Sequence, residues 1–185
     1  GSEMCIRDSR DIALECVASV TSTISICSTK EQSTDIKKKS SSSDYVTSLD
    51  RQIESETVQF IRKNRANDGI LGEEGASRSG TSGIRWIIDP IDGTSNFVYS
   101  IPYFSISIAI EADGKIVAGV VADLSSNDVF DAVKGHGSRC NNEIITVNDN
   151  DSLQSAIIAT GFSYQPERRE FQGGMLQHIL PRIGD

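Results

Sequence analysis

The sequence predicts an α+β protein in which two N-terminal helices pack on a largely antiparallel sheet. Three observations carry that expectation. Apolar residues in the first third recur at helical spacing. From residue 69 onward they alternate, or run continuously, as strands do. Turn residues then separate these runs at short intervals. Runs of helix followed by runs of strand are the pattern of an α+β layering. The chain has 185 residues with 37% hydrophobic content, enough for the core of one domain or slightly more.

The elements follow in order. Ala13, Val17, Val20, Ile24 and Cys27 form one stripe, so residues 10–28 read as an amphipathic helix. The polar, Ser/Lys-rich run STKEQSTDIKKKSSSSD then reads as a loop. Leu49, Ile53, Thr57, Phe60 and Ile61 give a second helix over 48–65, which Asn67-Asp68-Gly69 ends with turn chemistry. Residues 69–73 form a short apolar strand with an acidic end, and IRWIID a second. In YFSISIAIEA, Phe104, Ile106, Ile108 and Ile110 share one face. Asp113-Gly114 is a two-residue hairpin signal, after which KIVAGVVAD returns. DVFDAVKG reads as a further strand. Gly135, Gly137, Asn141 and Asn142 mark turns before EIITV. A strand near 156–160 and a helix near 167–180 complete the reading. The first ten residues, GSEMCIRDSR, show no clear pattern and read as a leader that is not native or not ordered, with the domain running over 11–185.

Net charge is −8, which counts against a polyanionic partner such as nucleic acid; the one basic run is Lys37-Lys38-Lys39. None of Cys5, Cys16, Cys27 and Cys140 forms a C-x-x-C pair, and Cys16 falls on the apolar stripe, as a packed, reduced thiol does in a cytoplasmic protein. No apolar run approaches the ~18 residues that span a bilayer, so no membrane partner is expected.

The polar residues of interest fall in five short stretches: Lys39; Asp44 and Asp50 of DYVTSLD; Glu73 and Glu74 of GEEG; Asp89 and Asp92 of DPIDGT; and Thr94. Each alone has a plain structural account. Asp50 can favour a helix N-terminus, GEEG can be a solvated turn, and Asp89-Pro90 can open a turn with Asp92 capping a short helix. Together they say more. GEE and DPID both sit where an apolar strand ends, so adjacent strands ending together would bring Glu73, Asp89 and Asp92 to one edge. Crowded carboxylates repel unless a cation holds them, and oxygen-only ligands select Mg²⁺, Mn²⁺ or Ca²⁺. His136 and His178 are far away in sequence, which argues against zinc. Gly93 would let a substrate approach the backbone, and the short helix beginning there would offer N–H groups to a phosphate. Metal, a phosphate cradle and a hydroxyl beside a carboxylate are the equipment of phosphoryl hydrolysis.

DYVTSLD, GEEG and WIIDPIDGTSNF followed by IPYFSISIAI resemble the inositol monophosphatase family of magnesium-dependent, lithium-sensitive phosphatases. KGHGSRCNN and ATGFSYQPERR resemble its middle region in a bacterial style. The resemblance covers residues 11–185. It implies the layered α/β sandwich of the sugar phosphatases, and two or three Mg²⁺ ions with Mn²⁺ as the alternative. It implies metal ligation by Glu73, Asp89, Asp92 and the carbonyl of Ile91, with Glu74 in the surrounding shell. It further implies that Asp50 bonds Thr94 to orient an attacking water, with Glu73 also catalytic. Asp92, Gly93, Thr94 and Lys39 would hold the phosphate and substrate, Lys39 from a mobile loop. The implied reaction is in-line attack by water on a small phosphate monoester in a homodimeric enzyme, with no phosphoenzyme. The family's further aspartate, in a Trp-Asp motif near its C-terminus, has no counterpart here, since Trp86 is the one tryptophan. The chain therefore reads as the N-terminal part of such a domain, with the C-terminal layers missing and metal bound weakly by the fragment itself. Within the superfamily, histidinol phosphate, a nucleotide bisphosphate or fructose bisphosphate are alternative substrates. A non-catalytic metal-binding or regulatory module is the alternative of a different class, and the presence of both Thr94 and Asp50 favours the enzyme over it.

Overall fold

A computed structural model describes residues 3–28, 37–38, 45–46 and 48–184. Helix α1 (Glu3–Ser28) is followed by two-residue strands β1 (Lys37–Lys38) and β2 (Tyr45–Val46), then helix α2 (Ser48–Asn64). Strands β3 (Gly69–Gly72), β4 (Ser77–Arg78) and β5 (Ile84–Asp92) lead into the short helix α3 (Thr94–Val98). Strands β6 (Ser105–Ala112), β7 (Lys115–Asp123), β8 (Val129–Val133), β9 (Ser138–Cys140) and β10 (Glu143–Ile145) follow, then helix α4 (Pro166–Ile179) and a 3₁₀ turn at Leu180–Arg182.

The chain divides into two compact units, residues 1–37 with 45–146, and residues 38–44 with 147–185. The first holds an eight-stranded sheet in the order β10-β9-β8-β7-β6-β5-β3-β4. Six strands form a consecutive antiparallel meander, and the hairpin from β6 to β7 is closed by Asp113 and Gly114, both at positive φ. The exception is β3, which runs parallel to β5, with Gly72 opposite Ile88. The chain reaches β5 by crossing the start of β3. There Thr81 N–H donates to the Asn67 carbonyl at 2.8 Å, and Gly80 lies so close to the Gly69 nitrogen that a side chain would collide.

One sheet face is the core. Trp86, Ile110, Ala118 and Val133 align across four strands, with Ile88, Ile108 and Val120 in the next row, and all are buried. Ala13, Cys16, Val17 and Val20 of α1 and Leu49, Ile53, Thr57 and Ile61 of α2 are buried in the same unit. Burying such a stripe removes about 1.5–3 kcal/mol of apolar exposure per large side chain. Leu71, Val121 and Phe130, on the other face, stay exposed.

Several boundaries differ from the expectation. Helix α1 begins at Glu3, inside the segment read as a leader. Ile6 packs against the core, and Ser9 is fully buried with its Oγ bonded to the Cys5 carbonyl at 2.9 Å. The side chains of Ile24 and Cys27 lie outside the described residues. Strand β5 continues three residues past Asp89.

The second unit corrects one element. No strand forms over 156–160; the segment is irregular after a 3₁₀ turn at Leu153–Ser155. A strand needs a neighbour to satisfy its backbone groups. The described residues of this unit supply no ladder for it, and Ile157 and Ile158 remain exposed. Helix α4 forms as expected, with Pro166 in its first turn. Among the described residues no helix is long and apolar enough to cross a membrane.

Candidate active site

Parallel pairing of β3 and β5 puts their C-terminal ends side by side. The Glu73 N–H donates to the Ile88 carbonyl at 3.0 Å, so Glu73 leaves β3 beside Asp89. The β5–β6 ladder then slips between Asp89 and Asp92, across Pro90 and Ile91. Proline brings no N–H to a ladder, so it suits this irregular segment. Pro90 and Ile91 are buried, Asp89 is half-buried, and Glu73 and Asp92 are exposed. The three acids thus lie at one strand-end edge.

Gly93 follows in the left-handed region, at φ 90° and ψ 34°, and is the residue that precedes α3. No side chain caps that helix, so Asp92 does not serve as its cap. A Cβ on Gly93 would stand 3.0 Å from the Tyr103 carbonyl oxygen. The first helical bond runs from Phe97 N–H to the Gly93 carbonyl at 3.1 Å, so the amides ahead of it have no acceptor within the helix.

Thr94 connects this edge to α2. Its Oγ1 lies 3.0 Å from Asp50 Oδ1 and 2.9 Å from the Ile91 carbonyl oxygen. A hydroxyl has one proton, so Thr94 donates to one of these acceptors at a time and keeps lone pairs for another donor. Asp50 is 1% exposed, in the first turn of α2.

A cavity of about 310 Å³ opens beside Asp92 and Gly93, walled also by Asn96, Ser105, Asp123 and Phe130. Ser105 pairs with Asp92 on one side and Asp123 on the other. The Asp123 carboxyl is held below its ordinary range by bonds from the Ser125 hydroxyl, then from the Ser125 and Ser126 amides.

Glu73, Asp89 and Asp92 offer carboxylate oxygens and Ile91 a carbonyl. That all-oxygen set suits a hard divalent cation better than zinc, which favours nitrogen and sulfur ligands. Among the described residues, no three His, Cys, Asp or Glu side chains converge into a finished cage. What the backbone supplies is a shared edge carrying the right donor types. Lys39 and Asp44 lie outside the described residues.

Three residues at the site escaped the sequence reading. Asp123 is one. Asn96 is another, its Nδ2 donating to the Tyr103 carbonyl at 2.6 Å. The third is Glu54, buried on α2, whose Oε2 and Oε1 accept from the Glu74 and Ala76 amides at 2.7 and 2.9 Å. Its one sequence signal is its place four residues after Asp50, beside the apolar stripe of α2.

This arrangement has known counterparts. A family model of the inositol monophosphatase family matches residues 8–184, and the chain belongs to that family. Nus factor SuhB of Haemophilus influenzae is 38% identical over 77% of this chain and 54% of its own length. Inositol-1-monophosphatase SuhB of Mycobacterium tuberculosis is 36% identical over 81% of this chain and 55% of its own. The chain spans about half the length of the curated relatives it matches. Among solved structures, extragenic suppressor protein suhB from Bartonella henselae superposes with a TM-score of 0.87 at 30% identity, covering 94% of this chain and 67% of that one. The Thermotoga maritima IMPase gives 0.84 at 33% identity, covering 95% and 66%.

Proposed function

We propose that the protein is a metal-dependent phosphomonoesterase that hydrolyses inositol monophosphate to inositol and phosphate by direct attack of water. The observation that carries this reading is the bond between Thr94 and Asp50 beside the acidic strand ends. A purely metal-binding module has no need of a hydroxyl aimed at a buried carboxylate. Family membership and the relative named inositol-1-monophosphatase support the choice of substrate.

In this reading Glu73, Asp89, Asp92 and the Ile91 carbonyl hold Mg²⁺. The ion supplies charge neutralisation and makes water a stronger acid. Thr94 accepts a hydrogen bond from the attacking water while its own hydroxyl donates to Asp50, so as the water's proton moves to Thr94 the hydroxyl proton moves on to the carboxylate. The Gly93 and Thr94 amides bind phosphate oxygens, and the cavity beside Asp92 takes the ester's alcohol portion.

The test is phosphate release from inositol 1-phosphate by the full-length protein, with and without Mg²⁺, with Asp92→Asn as the control. Release that needs Mg²⁺ and disappears in Asp92→Asn is expected. Mg²⁺ binding with silence on this ester and on histidinol, nucleotide and fructose phosphates would overturn it.

A non-catalytic role has support of its own, because several relatives are named Nus factor SuhB. The net charge of −8 makes a protein partner a better fit than a polyanion for such a role. Under that reading Thr94→Val leaves the protein's function intact.

A further inference from the structure

We propose that Glu54 is a positioning residue of this site. Its buried carboxylate holds the turn that carries Glu73, and α2 thereby sets the spacing between Glu73 and Thr94. The inference rests on the phosphatase reading above.

The turn between β3 and β4 comprises Glu73, Glu74, Gly75 and Ala76. It is closed by the Gly72 N–H donating to the Ala76 carbonyl at 2.6 Å. The amides of Glu74 and Ala76 point the other way and find Glu54, one on each carboxylate oxygen. An ionised acceptor makes these bonds stronger than a neutral one would. Gly72 makes room for the anchor, because a Cβ there would collide with Glu54 Oε2.

Asp50 and Glu54 are four residues apart, one turn along the same face of α2. Asp50 reaches the residue that begins α3 after β5; Glu54 reaches the turn after β3. One rigid helix face thus grips both strand-end loops. A carboxylate that only stabilised the fold would not need to sit at the turn bearing a candidate ligand, next to the helix residue that orients Thr94. Supports of this kind act on the ligand they orient, and their loss typically costs 10–100-fold in metal affinity.

The experiment compares the full-length wild type with Glu54→Gln, and with Glu56→Gln as a control for losing one charge from the same helix. Two quantities are read: the dissociation constant for Mn²⁺ alone, and amide hydrogen exchange at Glu74 and Ala76 without metal. Glutamine keeps one acceptor and turns an amino group toward an N–H. Exchange at the two amides should rise roughly tenfold, as for a lost hydrogen bond. Mn²⁺ affinity should fall about tenfold or more, with neither change in Glu56→Gln.

Wild-type affinity in Glu54→Gln, or wild-type exchange at the two amides, overturns the inference and leaves the phosphatase reading standing. Wild-type protein that binds no Mn²⁺ overturns the phosphatase reading and the inference with it. Should Glu54→Gln fail to fold, Gly72→Ala pushes on the same carboxylate from the turn side and must lower Mn²⁺ affinity; a folded Gly72→Ala with wild-type affinity overturns the inference.

Discussion

Thr94 and Asp50, 44 residues apart in sequence, meet at 3.0 Å between the start of α3, which follows the irregular end of β5, and the first turn of α2. Asp50 is among the most buried acids of the described residues, and Thr94 is half-buried. In the proposed mechanism this hydroxyl relays a proton without itself changing charge. Thr94→Val keeps the shape and removes the hydroxyl. Phosphate release by the full-length protein should fall by about 10²–10⁴-fold, the usual scale for a lost proton-transfer group. Mn²⁺ affinity should stay within a few-fold of wild type. Unchanged release would leave Thr94 a structural residue only.

A second buried acid is predicted to act on stability alone. Asp68 Oδ2 accepts from Trp86 Nε1 at 2.8 Å and from Arg65 Nε at 2.9 Å. Trp86 is fully buried and Asp68 is 2% exposed. Asp68→Ala leaves the indole N–H unsatisfied in the core and strips Arg65 of its carboxylate partner, leaving it the contact with Cys5 Sγ. The cost should be about 3 kcal/mol in urea unfolding. Asp68→Asn keeps an acceptor for the indole and should lose less. A loss under 1 kcal/mol for the alanine variant would show that water replaces the carboxylate.

The elements legible in the sequence were those fixed by local pattern. The second helix, expected over 48–65, spans Ser48–Asn64 because its stripe is regular and Asn67-Asp68-Gly69 stops it. β7 spans KIVAGVVAD as read and Asp113-Gly114 fits the turn, while β6 starts at Ser105, two residues into YFSISIAIEA, and its alternation fixes the register up to a shift between Ile110 and Glu111. The start of α1 was hidden because Ser9 looks polar, while the helix satisfies its hydroxyl internally and buries it. At the site, the acids were legible from where strands end. The parallel neighbour relation that brings Glu73 beside Asp89 is a long-range pairing, and no local period encodes it. Glu54 was invisible because its partners are backbone amides, whose positions follow only from the folded turn.

Gly93 should tolerate no side chain. Its φ of 90° lies where a Cβ costs roughly 1–2 kcal/mol, and that Cβ would also press on the Tyr103 carbonyl at 3.0 Å and on Asn96 Nδ2 at 3.4 Å. Gly93→Ala should therefore lower the melting temperature by several degrees. It should also reduce phosphate release by more than the loss of folded protein explains, because the strained segment carries the amides read as phosphate donors. Gly114→Ala has the same sign of φ with nothing near its Cβ, and separates strain from crowding. Equal losses in the two variants would remove any special role for the space around Gly93.

The Cys16 thiol gives a pH signature. It is fully buried, and burial pushes it from 9.0 to about 12, only partly offset by the Thr57 side chain. The thiolate is the reactive form, so at pH 8 Cys16 should resist thiol reagents until the protein opens. In a chain where Cys5, Cys27 and Cys140 are replaced by serine, labelling should run at the unfolding rate. The sign of the stability effect follows from the neutral form being favoured in the fold. The contribution is complete below about pH 9 and is lost as pH rises toward 12, because the unfolded chain gives up the proton first. Across that window unfolding free energy should fall by up to about 1.4 kcal/mol per pH unit relative to Cys16→Ala. Other groups titrate there too, but they are common to both chains and cancel in the difference. Parallel pH profiles for the two chains, or rapid labelling at pH 8, would mean that Cys16 is open to water and that α1 does not seal this part of the core.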